Sequence, residues 1–411
     1  MKTNKLMIQS MLETSIEKRQ TLSTISDDDL NLVFGFRGQV SVGTPGQALT
    51  VLFDTGSTQF WVQSTSCTNC VGTQFDYIKS SSFIDLNKAA KPIRYVDGTA
   101  VDAALISETV SINGLTQNNF TMSLAVALNE EMDLDGVMGL GFSREPTIPT
   151  FTSQILQTDP SISPVFSYFI DKTDVSGALL IGGIDKSRFS GDLATESILE
   201  SSFWELTMNS LEIGGSKLEL PAGMTSVFDT GSSLGVFSLD MAQYINQKLG
   251  IPPASKEGWY AMPCSDGQIP SNLPDLIMTF GSVRLRFTPN EYVYLQANVK
   301  KEIFCVSGIL GISNLGAEHS IIGNVLLRRY YTVFDVKNRK LGFAVCNREP
   351  VRGQPGPESQ IIESDLASEI KGVADPASVN GETSSKNTNN AQINSPIALY
   401  LVIILVSLNI T

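Results

Sequence analysis

Between about residues 30 and 347 the chain sets short runs rich in Val, Ile, Phe and Thr between Gly, Asn, Asp and Pro, as at 38–42, 178–181 and 331–334. Runs this short, closed at both ends by turn residues, predict strands. Helical periodicity is scarce and is clearest over 239–249. The prediction is therefore an all-β body. From 350 to 396 the composition turns polar and rich in Pro, Ser and Asn, which reads as a flexible stalk. A strongly apolar run then occupies 397–406, within a tail 397–411.

That tail is shorter than the roughly 20 residues a bilayer span needs. It matches the roughly 10–20-residue hydrophobic end of a glycolipid-anchor signal, with 380–394 as polar spacer and Ser384 or Ser385 as attachment point. A tail-anchored helix is the other reading. At the opposite end, residues 1–20 hold no apolar run long enough for a secretory signal, and Glu13 and Glu17 interrupt them. An anchor without an entry signal is inconsistent, so the expectation is that the true start lies upstream. Lys18-Arg19 would then be a processing site behind a leader remnant (1–19), although Lys300-Lys301 and Arg328-Arg329 are dibasic too. The one sequon outside the tail, Asn119-Phe120-Thr121, suits a secreted glycoprotein.

The chain also repeats. Val51-Leu-Phe-Asp54-Thr55-Gly56-Ser57 and Ser226-Val-Phe-Asp229-Thr230-Gly231-Ser232 each place Asp-Thr-Gly-Ser behind an apolar run. Later in each half two apolar residues are closed by glycine, in Asp135-Gly-Val-Met-Gly139 and Ser320-Ile-Ile-Gly323. A two-fold duplication of this kind predicts two similar β lobes, 20–185 and 186–349, with a cleft between them.

Composition narrows the chemistry. At 411 residues with 42% hydrophobic and 17% charged positions, the chain is globular and long enough for two domains. Its net charge of −13 argues against a nucleic-acid partner. A single histidine, His319, excludes an H-E-x-x-H helix and any zinc site with several His ligands. No G-x-S-x-G elbow accompanies it, so His319 reads as a surface or loop residue and no metal or organic cofactor is implied. Of five cysteines, Cys67 and Cys70 could be a redox pair or half a zinc site. No second C-x-x-C completes such a site, and a short disulfide loop is the better reading. Cys264 with Cys305 would leave Cys346 over.

Two carboxylates on tight turns suit peptide hydrolysis. One can deprotonate a water while its protonated neighbour polarises the carbonyl. Glycine lets two loops approach closely, threonine offers a hydroxyl to brace one loop on the other, and serine offers one to the outer carboxylate oxygen. Two ordinary β-turns are the bland alternative, and the duplicated setting weighs against it.

These segments resemble the pepsin-like aspartic proteases over about 36–343. Phe53-Asp-Thr-Gly-Ser-Thr-Gln-Phe-Trp61-Val is similar to the family's first active-site segment, and Ile93-Arg-Tyr95-Val-Asp-Gly98 to its β-hairpin flap. Leu180-Ile-Gly-Gly-Ile-Asp185 resembles the junction of the lobes, and 322–335 the C-terminal signature. With the tail, the likeness extends to glycolipid-anchored, yapsin-like fungal members. The resemblance implies a bilobal, monomeric endopeptidase with polypeptide substrates, reaching the cell surface through the secretory pathway and held to the membrane by the tail or a lipid anchor. It makes Asp54 and Asp229 the catalytic pair, with Thr55, Gly56, Ser57, Thr230, Gly231 and Ser232 in support. It makes Tyr95 and Gly98 part of the flap, Trp61 the partner of Tyr95, and Cys264–Cys305 a disulfide of the second lobe. Asp97, with the acids of 130–133, suggests tolerance of Lys or Arg at the cleavage point; solvated loop acids are the alternative. Asn324 departs from pepsin, which has an acid there, and the lost charge favours ionisation of the pair. A non-catalytic binding protein on the same fold and a cytosolic tail-anchored protein are the rivals.

Overall fold

A computed structural model describes residues 37–347, apart from 91, 133, 144–148, 155, 157–160, 171–175, 256–257, 265–266 and 298–302, together with the backbone of 21–26 and 361–363. Lys18-Arg19, Ser384, Ser385 and the tail 397–411 lie outside the described residues.

The repeated motif folds into repeated topology. In the first lobe Gln47–Asp54 runs parallel to Gly136–Gly139, which pairs antiparallel with Phe60–Thr68. In the second, Thr225–Phe228 runs parallel to His319–Ile322, which pairs antiparallel with Gly235–Ser238. The strand that carries each aspartate is thus inserted beside the bracket strand closed by Gly139 or Gly323. Both glycines are there for closeness. A Cβ on Gly139 would fall 2.6 Å from the backbone of Thr58 and Gln59, and one on Gly323 would fall 2.2 Å from the carbonyl of Leu234.

Local chemistry explains the elements nearby. The long hairpin of Ala100–Ile112 and Leu115–Leu128 reverses at Asn113-Gly114, both with positive φ, as a two-residue turn matched to strand twist requires. The predicted helix forms over Leu239–Leu249, capped by the Ser238 hydroxyl and ended by Gly250 in the left-handed region. It buries Met241, Ala242, Ile245 and Leu249 on one face.

A sheet built from both halves joins the lobes. Val165–Ile170 and Ser176–Ile181 of the first half pair antiparallel, and Val165–Ile170 also pairs with Tyr330–Asp335 near the C-terminus. Lys340–Cys346 and Phe189–Ser197 extend the sheet on one side, and Thr21–Ser26 pairs along Ser176–Ile181 on the other. Under it Phe166 stacks on Phe334 at 4.6 Å, and both rings meet Trp204. The indole N–H of Trp204 donates to the Leu140 carbonyl at 2.9 Å, next to the first bracket glycine. Fully buried aromatics of this size supply much of the packing that seats one lobe on the other.

Both disulfides form, Cys67–Cys70 and Cys264–Cys305, and Cys346 is buried outside them. His319 is exposed at the start of its strand. Within the expected stalk, Ile361–Glu363 pairs antiparallel with Val283–Phe287, extending a sheet of the second lobe. Ile361-Ile362 interrupts the polar composition, and a sheet edge is a ready acceptor for such a segment. Among the described residues no helix is long and apolar enough to cross a membrane.

Candidate active site

The two Asp-Thr-Gly-Ser turns meet between the lobes. Asp54 ends the strand Gln47–Asp54 and Asp229 follows Thr225–Phe228; both side chains are fully buried. Each carboxylate accepts from the glycine amide two residues on, Gly56 to Asp54 Oδ1 and Gly231 to Asp229 Oδ1, both at 2.8 Å. The same glycines touch the opposite acid. An added Cβ at Gly56 would fall 2.4 Å from Asp229 Cγ, and one at Gly231 would fall 2.4 Å from Asp54 Oδ1. Any side chain there would displace the acid of the other lobe.

Threonines lock the turns in register. Thr55 Oγ1 donates to the Phe228 carbonyl and Thr230 Oγ1 to the Phe53 carbonyl, each at 2.7 Å. In return Thr55 N donates to Thr230 Oγ1 at 3.1 Å and Thr230 N to Thr55 Oγ1 at 2.9 Å. Four buried, reciprocal bonds therefore cross the lobe boundary at the carboxylates.

The serines break the symmetry. Ser232 Oγ donates to Asp229 Oδ2 at 2.5 Å. Ser57 lies close enough to Asp54 to favour its charged form, yet Ser57 Oγ and Asp54 Oδ2 make no bond of normal geometry. Burial raises the pKa of both acids. For Asp54 the charge of Asp229 adds to burial and pushes it well above the ordinary 3.8. For Asp229 the bonds from Asp54, Ser232 and Gly231 hold the rise back. Burial and mutual repulsion thus favour one proton shared between the two acids, whose titration belongs to them together, and the Ser232 bond favours charge on the Asp229 side. Pairs of this kind are the standard illustration of such splitting.

Around the acids, Trp61 and Tyr95 are both buried, and Trp61 Nε1 donates to Tyr95 Oη at 2.8 Å. Burial first, and then the charge of Asp54, push the Tyr95 hydroxyl well above 10.0, which places Tyr95 in the field of the pair. Tyr95 opens a tight turn: Tyr95 N donates to Thr99 O at 2.8 Å and Gly98 N to Tyr95 O at 3.1 Å, with Gly98 at φ +100°. Asp97 is exposed on this turn and accepts from Thr99 N at 2.9 Å. Asn119 is exposed too, at a positive-φ position on Leu115–Leu128, far in sequence from the acids.

Asn324 and Glu130 were marked in the sequence, but the bonds they and their neighbours make had no sequence signal. Asn324 is fully buried; its Nδ2 donates to the Thr230 carbonyl at 2.9 Å while Tyr168 Oη donates to its Oδ1 at 2.8 Å. Asn129 Nδ2 donates to Gly98 O at 3.0 Å, and Thr99 Oγ1 donates to Glu130 Oε1 at 2.9 Å, tying the Tyr95–Thr99 turn to its own lobe.

Buried paired carboxylates on matched turns, between two β lobes, define an aspartic endopeptidase, and the chain belongs to the eukaryotic aspartyl protease family, whose profile matches residues 35–346. Its relatives include cathepsin D of Gallus gallus, 28% identical over 327 residues (76% of this chain, 80% of the relative). Cathepsin E of Aquarana catesbeiana is 29% identical over 322 residues (75% and 78%), and pepsin A of Sus scrofa 27% over 318 (75% and 80%). Its substrates are polypeptides.

Proposed function

We propose that Asp54 and Asp229 are the catalytic pair and cleave peptide bonds in acid. The reading is carried by one observation: two buried carboxylates, each backed by the glycine of the other lobe. Asp229, favoured as the charged member by Ser232, takes a proton from a water whose oxygen attacks the scissile carbonyl carbon. Asp54 gives its proton to the carbonyl oxygen, producing a tetrahedral gem-diol. Collapse returns one hydroxyl proton of the diol to Asp54, re-forms the carbonyl, breaks the C–N bond and passes the proton held by Asp229 to the departing amine. Thr55 and Thr230 hold the pair in register, Ser232 serves the outer oxygen of Asp229 while Ser57 stands beside Asp54, and Tyr95, oriented by Trp61, closes on bound peptide with the Gly98 turn.

The test is peptide cleavage by Asp54→Asn and Asp229→Asn variants. Each abolishes an activity that is bell-shaped in acid and blocked by a statine-type inhibitor; full activity in either variant refutes the assignment, and with it favours a binding protein on this fold.

Asp97, exposed on the flap turn, and Glu130, bonded beneath it, support acceptance of Lys or Arg beside the scissile bond. Cleavage of a peptide library at apolar pairs alone, unchanged by Asp97→Ala, rejects that preference. The apolar tail and polar spacer support a glycolipid tether at the cell surface, and the exposed Asn119 supports glycosylation. Phospholipase release from cells and a glycosidase mobility shift test the two.

A further inference from the structure

The flap turn is bonded to both lobes. Asn129 and Glu130 hold it from its own side, through Gly98 O and Thr99 Oγ1. From the other side Asn314 Nδ2 donates to the Val96 carbonyl at 2.6 Å. Asn314 sits just past Ile309–Ile312, a strand that pairs in parallel with Gly235–Ser238, itself directly behind the Asp229 turn. The bond therefore joins the tip of the flap to the framework of the opposite aspartate, across the cleft. With it formed, Asp54 and Asp229 are 0% exposed and Tyr95 is 1% exposed. An extended peptide needs about 4.8 Å of its own between neighbouring backbones. The latched arrangement does not offer the acids to one.

We propose that Asn314 is a latch that holds the flap shut and must release Val96 before a substrate reaches the pair, so that it sets how much of the enzyme is open to substrate. The proposal rests on the assignment of Asp54 and Asp229 above. Val96 itself is buried and contributes only its backbone carbonyl, whereas the Asn314 side chain is exposed. The latch is thus an amide on the surface, removable without disturbing the core. A neutral hydrogen bond of ordinary strength biases a two-state equilibrium by about fivefold. A closed state favoured by that factor raises the apparent dissociation constant of every substrate equally, whatever its sequence.

Two measurements test it. Hydrogen exchange of the amides of residues 93–100 needs no turnover and reads the latch independently of the catalytic assignment. In Asn314→Ala it accelerates by about threefold. Kinetics on a peptide substrate then show KM lowered by about threefold with kcat within about twofold. Asn314→Asp supplies a rescue: protonated below about pH 4, it regains a donor and follows the parent enzyme, and above that pH it follows the Ala variant. Flap exchange unchanged by Asn314→Ala overturns the latch. A raised KM or a kcat lowered well beyond twofold overturns it as well, because Asn314 would then grip the flap over bound substrate.

Discussion

Replacing Thr230 by Val keeps the shape of the side chain and removes only its hydroxyl. That hydroxyl donates to Phe53 O at 2.7 Å and accepts from Thr55 N at 3.1 Å, so the change orphans one backbone carbonyl and one backbone amide at a fully buried boundary. Each unpaired buried group costs about 1–3 kcal/mol, which gives about 2–6 kcal/mol for the pair. Against a total stability of about 5–15 kcal/mol this is a large share. Urea unfolding of Thr230→Val is expected to show a lowered midpoint at an unchanged slope. Thr230→Ser keeps both bonds and loses one methyl group, about 0.8 kcal/mol. Thr55→Val breaks the reciprocal bonds to Phe228 O and from Thr230 N. Once one side has failed the other holds less, so the double variant should be less destabilised than the sum, by more than about 0.5 kcal/mol. If Val and Ser at 230 cost the same, the hydroxyl is not the brace and the reasoning fails.

Two further predictions concern pH. Burial raises both acids above 3.8 in the folded protein. The folded state therefore binds more protons than the unfolded one; this contribution to stability is complete below about pH 3.8 and is lost as pH rises through the raised values. Asp54→Asn, neutral at every pH, should match the parent in acid and be more stable near neutrality in denaturant titrations; equal stability at both pH values argues against the burial account. Asn324→Asp can donate to Thr230 O only while protonated, unlike the native amide. Once ionised it sets a negative charge beside the turn of Asp229 and disfavours ionisation of the pair, so the alkaline limb of its pH–rate profile should move toward higher pH; an unmoved limb means position 324 is not coupled to the pair.

The acids and their immediate frame were legible because they are local: two tetrapeptides and two apolar-apolar-Gly brackets, which the fold pairs as Asp54 with Gly139 and Phe228 with Ile322. Helix 239–249 was legible from its period. Trp61 and Tyr95 could be paired only by their offsets within recognised segments, since a buried aromatic looks the same in any core. Asn324 showed in the sequence as a missing charge, while its bonds to Tyr168 and Thr230 did not show at all. Asn314 and Val96 are 218 positions apart. Contacts of that kind have no period, and a lone Asn in a loop is indistinguishable from any other turn residue until the lobes are assembled. The strand Ile361–Glu363 was hidden for a related reason: three residues in a polar stretch carry too little pattern to announce a pairing decided by the edge they meet.

The reciprocal glycines make the site a coincidence detector. Gly56 lies against Asp229 and Gly231 against Asp54, so each carboxylate takes hydrogen bonds from its own turn but is packed in place by the other lobe's glycine. Separation of the lobes would let water between the carboxylates and uncouple the pair, while every strand within each lobe stayed intact. Loss of activity should therefore precede loss of structure, and the enzyme would register strain along the joining sheet before any spectroscopic probe of folding does.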